Sequence, residues 1–248
     1  MPYARSECPL HSPAGSGESL LVIGEQGLGD GLQFVRYVPL MAEQTGPITI
    51  CVHQKPKGLI EASGLAERTL SPAAASTLAP LPWLPLFSLP QILGVSPENA
   101  VVTGPYLPYL KVPEDASTTW GNLLRSSRLP LVGLHWQGNP MAKVNSNLKG
   151  RSFPLNELQP LAEIDGVRFV SLQKGAGSEQ VPHSCFSERF IPEQHLVDEA
   201  LNFIDTAAIL QACDLIITSD TVIAHLAGGL GKPGWLLLAH GPDWRWGP

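Results

Sequence analysis

One pattern, used twice, constrains this chain more than any other feature: an apolar run of strand length, a glycine-bearing polar loop, then a segment with helical spacing. The first copy opens with LLVIG at 20–24. It passes through EQGLGDG into LQFVRYVPLMAEQ, where Leu32, Val35, Val38, Pro39 and Met41 recur near a helical period. The second opens with LPLVGLHW at 129–136, runs through QGNPMAKVNSNLKGRS and reaches PLNELQPLAEI, with Pro154 at the first turn, where a missing N–H costs nothing. Further strand-type runs are PITICV at 47–52, VRFVSLQ, DLIITS at 214–219 and KPGWLLLA. Helices are expected over 205–213, with an Asp start, and from Asp220 to the glycines that follow Leu226. Strands separated by helices make βαβ units and parallel sheets. The expected architecture is therefore α/β with two Rossmann-like lobes, at 20–128 and 129–248, preceded by a flexible lead or linker at 1–19. A helix over 118–128 would cross between the halves. The proline-rich stretch 72–113 is too apolar for an exposed linker, and reads as irregular packed chain with a short helix near Leu89 to Leu93.

Charge removes several function classes. The formal net charge of −6 offers no basic footprint for nucleic acid and no attraction to anionic lipid. The most apolar stretch, 222–239, is interrupted by His225, Lys232, Pro233 and glycines, whereas a membrane helix needs roughly 20 mostly apolar residues. The first residues lack the apolar run of a signal peptide. Cys8, Cys51, Cys185 and Cys213 are scattered without a C-x-x-C pair, which fits free thiols in a reducing cytosol and a cytoplasmic protein.

The loops after the strands hold the candidate chemistry. Glycines at 24, 27, 29 and 31 miss the dinucleotide fingerprint, because position 32 is Leu32, and no Gly-Lys-Ser/Thr follows to make a phosphate loop. What remains is Asp30 at the mouth of the following helix. It is either a proton acceptor at the carboxyl edge of the sheet or a helix cap. In the second half, Asp220 and Thr221 begin a helix whose N–H groups and dipole suit an anion, and His225 lies one turn later on the face of Thr221. An ordinary capped helix with a buried histidine gives the same pattern. The long loop 137–152 carries Lys143, Lys149 and Arg151 and no acid. It suits a diphosphate, or is a solvated loop. Lys174 and Glu179 follow VRFVSLQ, where the lysine would reach a phosphate and the acid a ribose hydroxyl, although surface charge explains both equally. No zinc-type spacing and no G-x-S-x-G elbow is present, so neither a metal site nor a hydrolase triad is expected.

Taken in order, GEQGLGDGLQFVRYVPL, GLHWQGNP with GRSFPLNELQPL, VRFVSLQKG, and DLIITSDTVIAHLAGGLGKPGWLLL with PDWRW resemble the glycosyltransferase-like domain that follows tetratricopeptide repeats in many bacterial proteins. That domain is similar to glycosyltransferase family 9, the heptosyltransferases. The resemblance spans roughly Leu20 to Trp246. It implies a GT-B fold and metal-independent, inverting transfer of a sugar from a nucleotide-diphosphate donor to a hydroxyl, with no cofactor. It places the base at Asp30, with Gly29 and Gln33 on the acceptor side. The donor falls to Lys149, Arg151, Lys174, Glu179, Asp220, Thr221 and His225. The acceptor, a glycan, a lipid-linked sugar or a protein, is not specified. Gln33 stands where heptosyltransferases carry a histidine, and the resemblance stops at PDWRWGP, so the C-terminal lobe is expected to be incomplete. Two other readings share the pattern: a degenerate nucleotide-sugar or anion-binding module of a larger repeat protein, and an epimerase-type enzyme on the same architecture.

Overall fold

The computed structural model describes residues 20–79, 81–96, 107–140, 151–241 and 243–246. The chain divides into two compact units, Met1–Lys111 and Val112–Pro248.

The first unit is built on a parallel sheet of β1 (Leu20–Ile23), β2 (Ile48–Cys51), β3 (Arg68–Leu70) and β4 (Trp83–Pro85), in the order β3-β2-β1-β4. Between β1 and β2 the chain forms α1 (Leu28–Phe34), a 3-10 turn (Val35–Tyr37) and α2 (Val38–Thr45). The expected single helix is broken there for a simple reason. Pro39 has no N–H to give to the carbonyl four residues back, so the hydrogen-bond ladder tightens before it resumes. α2 ends at Gly46, whose φ of +89° suits a residue without a Cβ. α3 (Gln54–Ser63) joins β2 to β3, while α4 (Pro72–Ala75) and α5 (Leu89–Ile92) flank β4. The short helix at α5 falls where the sequence placed it. α3, β3 and β4 were not foreseen, because the two strands are three residues long and carry little periodicity.

The second unit repeats the scheme with β5 (Leu131–His135), β6 (Arg168–Ser171), β7 (Leu215–Ser219) and β8 (Gly234–Leu237), all parallel, in the order β6-β5-β7-β8. α6 (Glu114–Leu124) begins earlier than its expected start and packs on α8 (Phe203–Ala212), where Trp120 Nε1 donates to Asp205 Oδ1 at 2.9 Å. α7 (Gln194–Glu199) precedes α8, and α9 (Val222–Gly229) joins β7 to β8. The expected helix at 154–164 is instead a 3-10 helix, Leu155–Glu163, with Pro160 inside it. The proline removes an interior donor, and the chain takes the tighter ladder.

Alternation along β5 sorts the packing. Val132, Leu134 and Trp136 join Leu155, Phe169, Phe186, Phe190 and Ile217 in an apolar cluster. Leu131, Gly133 and His135 face the other way. There a Cβ on Gly133 would lie 2.8 Å from Leu172 and 2.9 Å from Ile216, so neighbouring side chains close over the glycine. Among the described residues no helix is long and apolar enough to cross a membrane.

Candidate functional site

Strand order decides where a ligand goes. In open α/β sheets the crevice lies outside the carboxyl ends of the strands, where consecutive connections leave in opposite directions. In the first unit that point lies between β1 and β4, and in the second between β5 and β7.

At the first of these points the glycine loop 24–27 leaves β1 with little room. A Cβ on Gly24 would lie 3.3 Å from the Cys51 carbonyl oxygen. Glu25 reaches across to the end of β4, where its carboxylate accepts from the N–H groups of Leu86 (3.1 Å) and Phe87 (3.3 Å). Asp30 is half-buried at the third position of α1, and its Oδ2 accepts from the Gly27 N–H at 2.9 Å. The cap position weighed for Asp30 from sequence is held by Gly27, and Asp30 supports the helix start from inside its first turn. Gly29 and Gln33 share α1 with Asp30.

At the second point several predicted residues meet one that was missed. Thr221 is the residue before α9, yet its hydroxyl does not cap the helix. Thr221 Oγ1 lies 3.1 Å from Nδ1 of His135, the last residue of β5, and 3.4 Å from Thr218 Oγ1. Arg151 comes alongside: a Cβ on Gly138 would lie 3.1 Å from Arg151 Nη2 and 3.6 Å from Thr221 Cγ2. His135 is buried, and burial first, then the Arg151 charge, pushes its pKa down to about 3. The ring is therefore neutral at physiological pH, and the Arg151 guanidinium brings positive charge to this point. Ser152 Oγ accepts from the Gly138 N–H at 3.1 Å and anchors the returning end of the long loop to β5.

Gln173 organises the adjoining turn. Its Oε1 accepts from the N–H groups of Trp136 (3.3 Å) and Gln137 (3.0 Å), and its Nε2 donates to the carbonyls of Gln137 (2.8 Å) and Ala176 (2.9 Å). Glu179 turns its carboxylate onto the Gly177 N–H at 2.7 Å, and Gly177, at φ +98°, abuts the Gln137 side chain. Lys174 donates its ammonium to the Val197 carbonyl at the end of α7. Burial lowers its pKa and the nearby Asp198 opposes that shift. Asp220 is buried, and so is His225, whose ring stacks on Trp246 with centroids 5.0 Å apart and planes 16° apart. Lys149 lies outside the described residues.

Sequence reasoning missed His135, Gly138, Gln173 and Trp246. His135 had a readable signal, a polar residue closing the alternation of an otherwise apolar strand. Gln173 had none, since its role depends on two turns meeting.

Two units, each with a four-stranded parallel sheet and its ligand edge at a change of winding direction, define the α/β architecture of GT-B-type glycosyltransferases. The particular likenesses agree with that class. The glycosyl transferase family 9 protein of Veillonella parvula superposes with a TM-score of 0.62 at 13% identity, over 91% of this chain and 83% of that one. The E. coli ADP-heptose lipopolysaccharide heptosyltransferase II gives a TM-score of 0.56 at 15% identity, over 88% and 84%. At these identities the likeness is one of fold. Among curated proteins, Protein FlbA of Caulobacter vibrioides is 24% identical over 247 residues, spanning 89% of this chain. The matched region is 39% of the length of FlbA. No protein-family profile matches the chain.

Proposed function

We propose that the chain binds a nucleotide-diphosphate sugar and transfers the sugar to a hydroxyl acceptor, without a metal and with inversion. The observation that carries this reading is the meeting of Arg151, Gly138, Thr221 and His135 at the β5/β7 winding change, in a fold shared with family 9 enzymes. A guanidinium beside a hydroxyl and the N-terminus of α9 is suited to a departing diphosphate. It concentrates charge where negative charge develops, and the α9 dipole adds to it. The E. coli neighbour is named for ADP-heptose, so ADP is the first nucleotide to try. In the first unit Asp30 serves as the base that takes the acceptor proton, from its place in the first turn of α1 at the carboxyl edge of the sheet.

The test is Asp30→Asn. The expected result is loss of transfer with ADP affinity unchanged, and turnover that survives the change removes Asp30 as base. A second reading, sugar-nucleotide binding without transfer, gains support from the capping bond that Asp30 already makes. Calorimetry with nucleoside diphosphates beside a turnover assay on the wild type separates the two, since binding with no transfer to any acceptor favours the module.

A further inference from the structure

His135 belongs to the meeting point at β5 and β7, and it is buried at the end of a strand where an apolar residue would pack at lower cost. Its ladder partner on β7 is Thr218, which puts both side chains on one face of the sheet, toward the start of α9. The hydroxyls there can be accounted for proton by proton. Thr218 Oγ1 donates to the Ser219 carbonyl at 2.9 Å, which uses its only hydrogen. Thr221 therefore has two neighbours that can take its own hydrogen, Thr218 Oγ1 and His135 Nδ1. A neutral imidazole can also act in the opposite sense, donating from Nδ1 to Thr221 Oγ1. In that tautomer Thr221 is held as an acceptor, and its O–H passes from the long contact with Thr218 Oγ1, at 3.4 Å, to an incoming oxygen.

We propose that His135 is a positioning residue for the nucleotide site, orienting the Thr221 hydroxyl so that it donates a hydrogen bond to a bound diphosphate oxygen beside Arg151. The inference rests on the reading given under Proposed function. Its physical content is a neutral donor placed behind the ligand-facing hydroxyl. A second cation there would be costly, because the ring is buried and Arg151 is adjacent. Gly138 contributes by absence: with no side chain of its own, it leaves room for Arg151 and Thr221 on either side of its Cα.

The experiment is a double-mutant cycle on the full chain, read by calorimetric titration of ADP. His135→Leu removes the polar ring, and Thr221→Val removes the hydroxyl at nearly constant shape. Each is expected to weaken ADP binding by about tenfold, and the double variant by no more than either alone, because both remove one coupled interaction. His135→Asn places an amide near the Nδ1 position and is expected to restore affinity to within about threefold of wild type. Independently of any variant's folding, 15N spectra of histidine-labelled wild type are expected to show the His135 Nδ1 signal at the protonated position in the ADP-bound protein. Additive losses in the cycle, or an unprotonated Nδ1 in the ADP-bound protein, overturn the role of His135 while leaving the nucleotide site standing. Absence of ADP binding by the wild type overturns the site itself, and the role of His135 with it.

Discussion

Protonating His135 should cost the folded protein a measurable part of its stability, and the size of that cost follows from where the ring sits. The imidazole has an ordinary value of 6.5, and burial together with Arg151 pushes it down to about 3 in the folded chain. A group whose folded value is depressed stabilises fully above the unfolded value. That contribution is lost as pH falls below 6.5, because the unfolded chain takes up a proton that the native chain refuses. Between pH 6 and pH 4 the expected slope from this one residue is about 1.4 kcal/mol per pH unit. Going from about pH 7.5 to about pH 5 therefore costs about 2 kcal/mol. Carboxylates titrate in the same region, so the comparison is with His135→Asn, which lacks the titrating group and keeps the others. Urea unfolding of both proteins at a series of pH values gives the difference directly. Wild type should lose about 2 kcal/mol more than the variant over that interval. Parallel pH profiles would show that the native ring takes up its proton as readily as the unfolded one, and the argument for a ring held neutral beside Thr221 would fall.

Gly133→Ala introduces a Cβ 2.8 Å from Leu172 and 2.9 Å from Ile216, and should destabilise the chain by about 1–3 kcal/mol in urea unfolding. Gly138→Ala is milder for the fold but presses on Arg151 at 3.1 Å, so ADP affinity should fall while the melting temperature changes little. Trp120→Phe keeps an aromatic ring between α6 and α8 but loses the pyrrole half of the indole and the bond to Asp205, at an expected cost of about 1–3 kcal/mol.

Much of the fold was legible because its strands announce themselves. β1, β2, β5, β6 and β7 are short apolar runs flanked by turn residues, and each lies within one or two residues of its expected place. β3 and β4 lie in segments without period-two alternation, and their pairing with β2 and β1 is set by the sheet. The same division holds for the site. Arg151, Thr221 and Asp30 could be named because cations in a long loop and polar residues at a helix start have local signatures. Glu25 has no local signature in the glycine loop, and only the approach of β4 makes it the acceptor for Leu86 and Phe87. Lys174 looked like a phosphate ligand, and the folded chain ties its amine to the Val197 carbonyl.

By itself, then, the sequence determined the α/β class, the two-part plan and the loops where polar groups gather, since all of these follow from local periodicity and turn chemistry. The tertiary structure decided which groups meet. His135 and Thr221 are 86 residues apart along the chain, and only the adjacency of β5 and β7 in the sheet brings them to 3.1 Å. A contact of that kind depends on strand order, which no local pattern encodes.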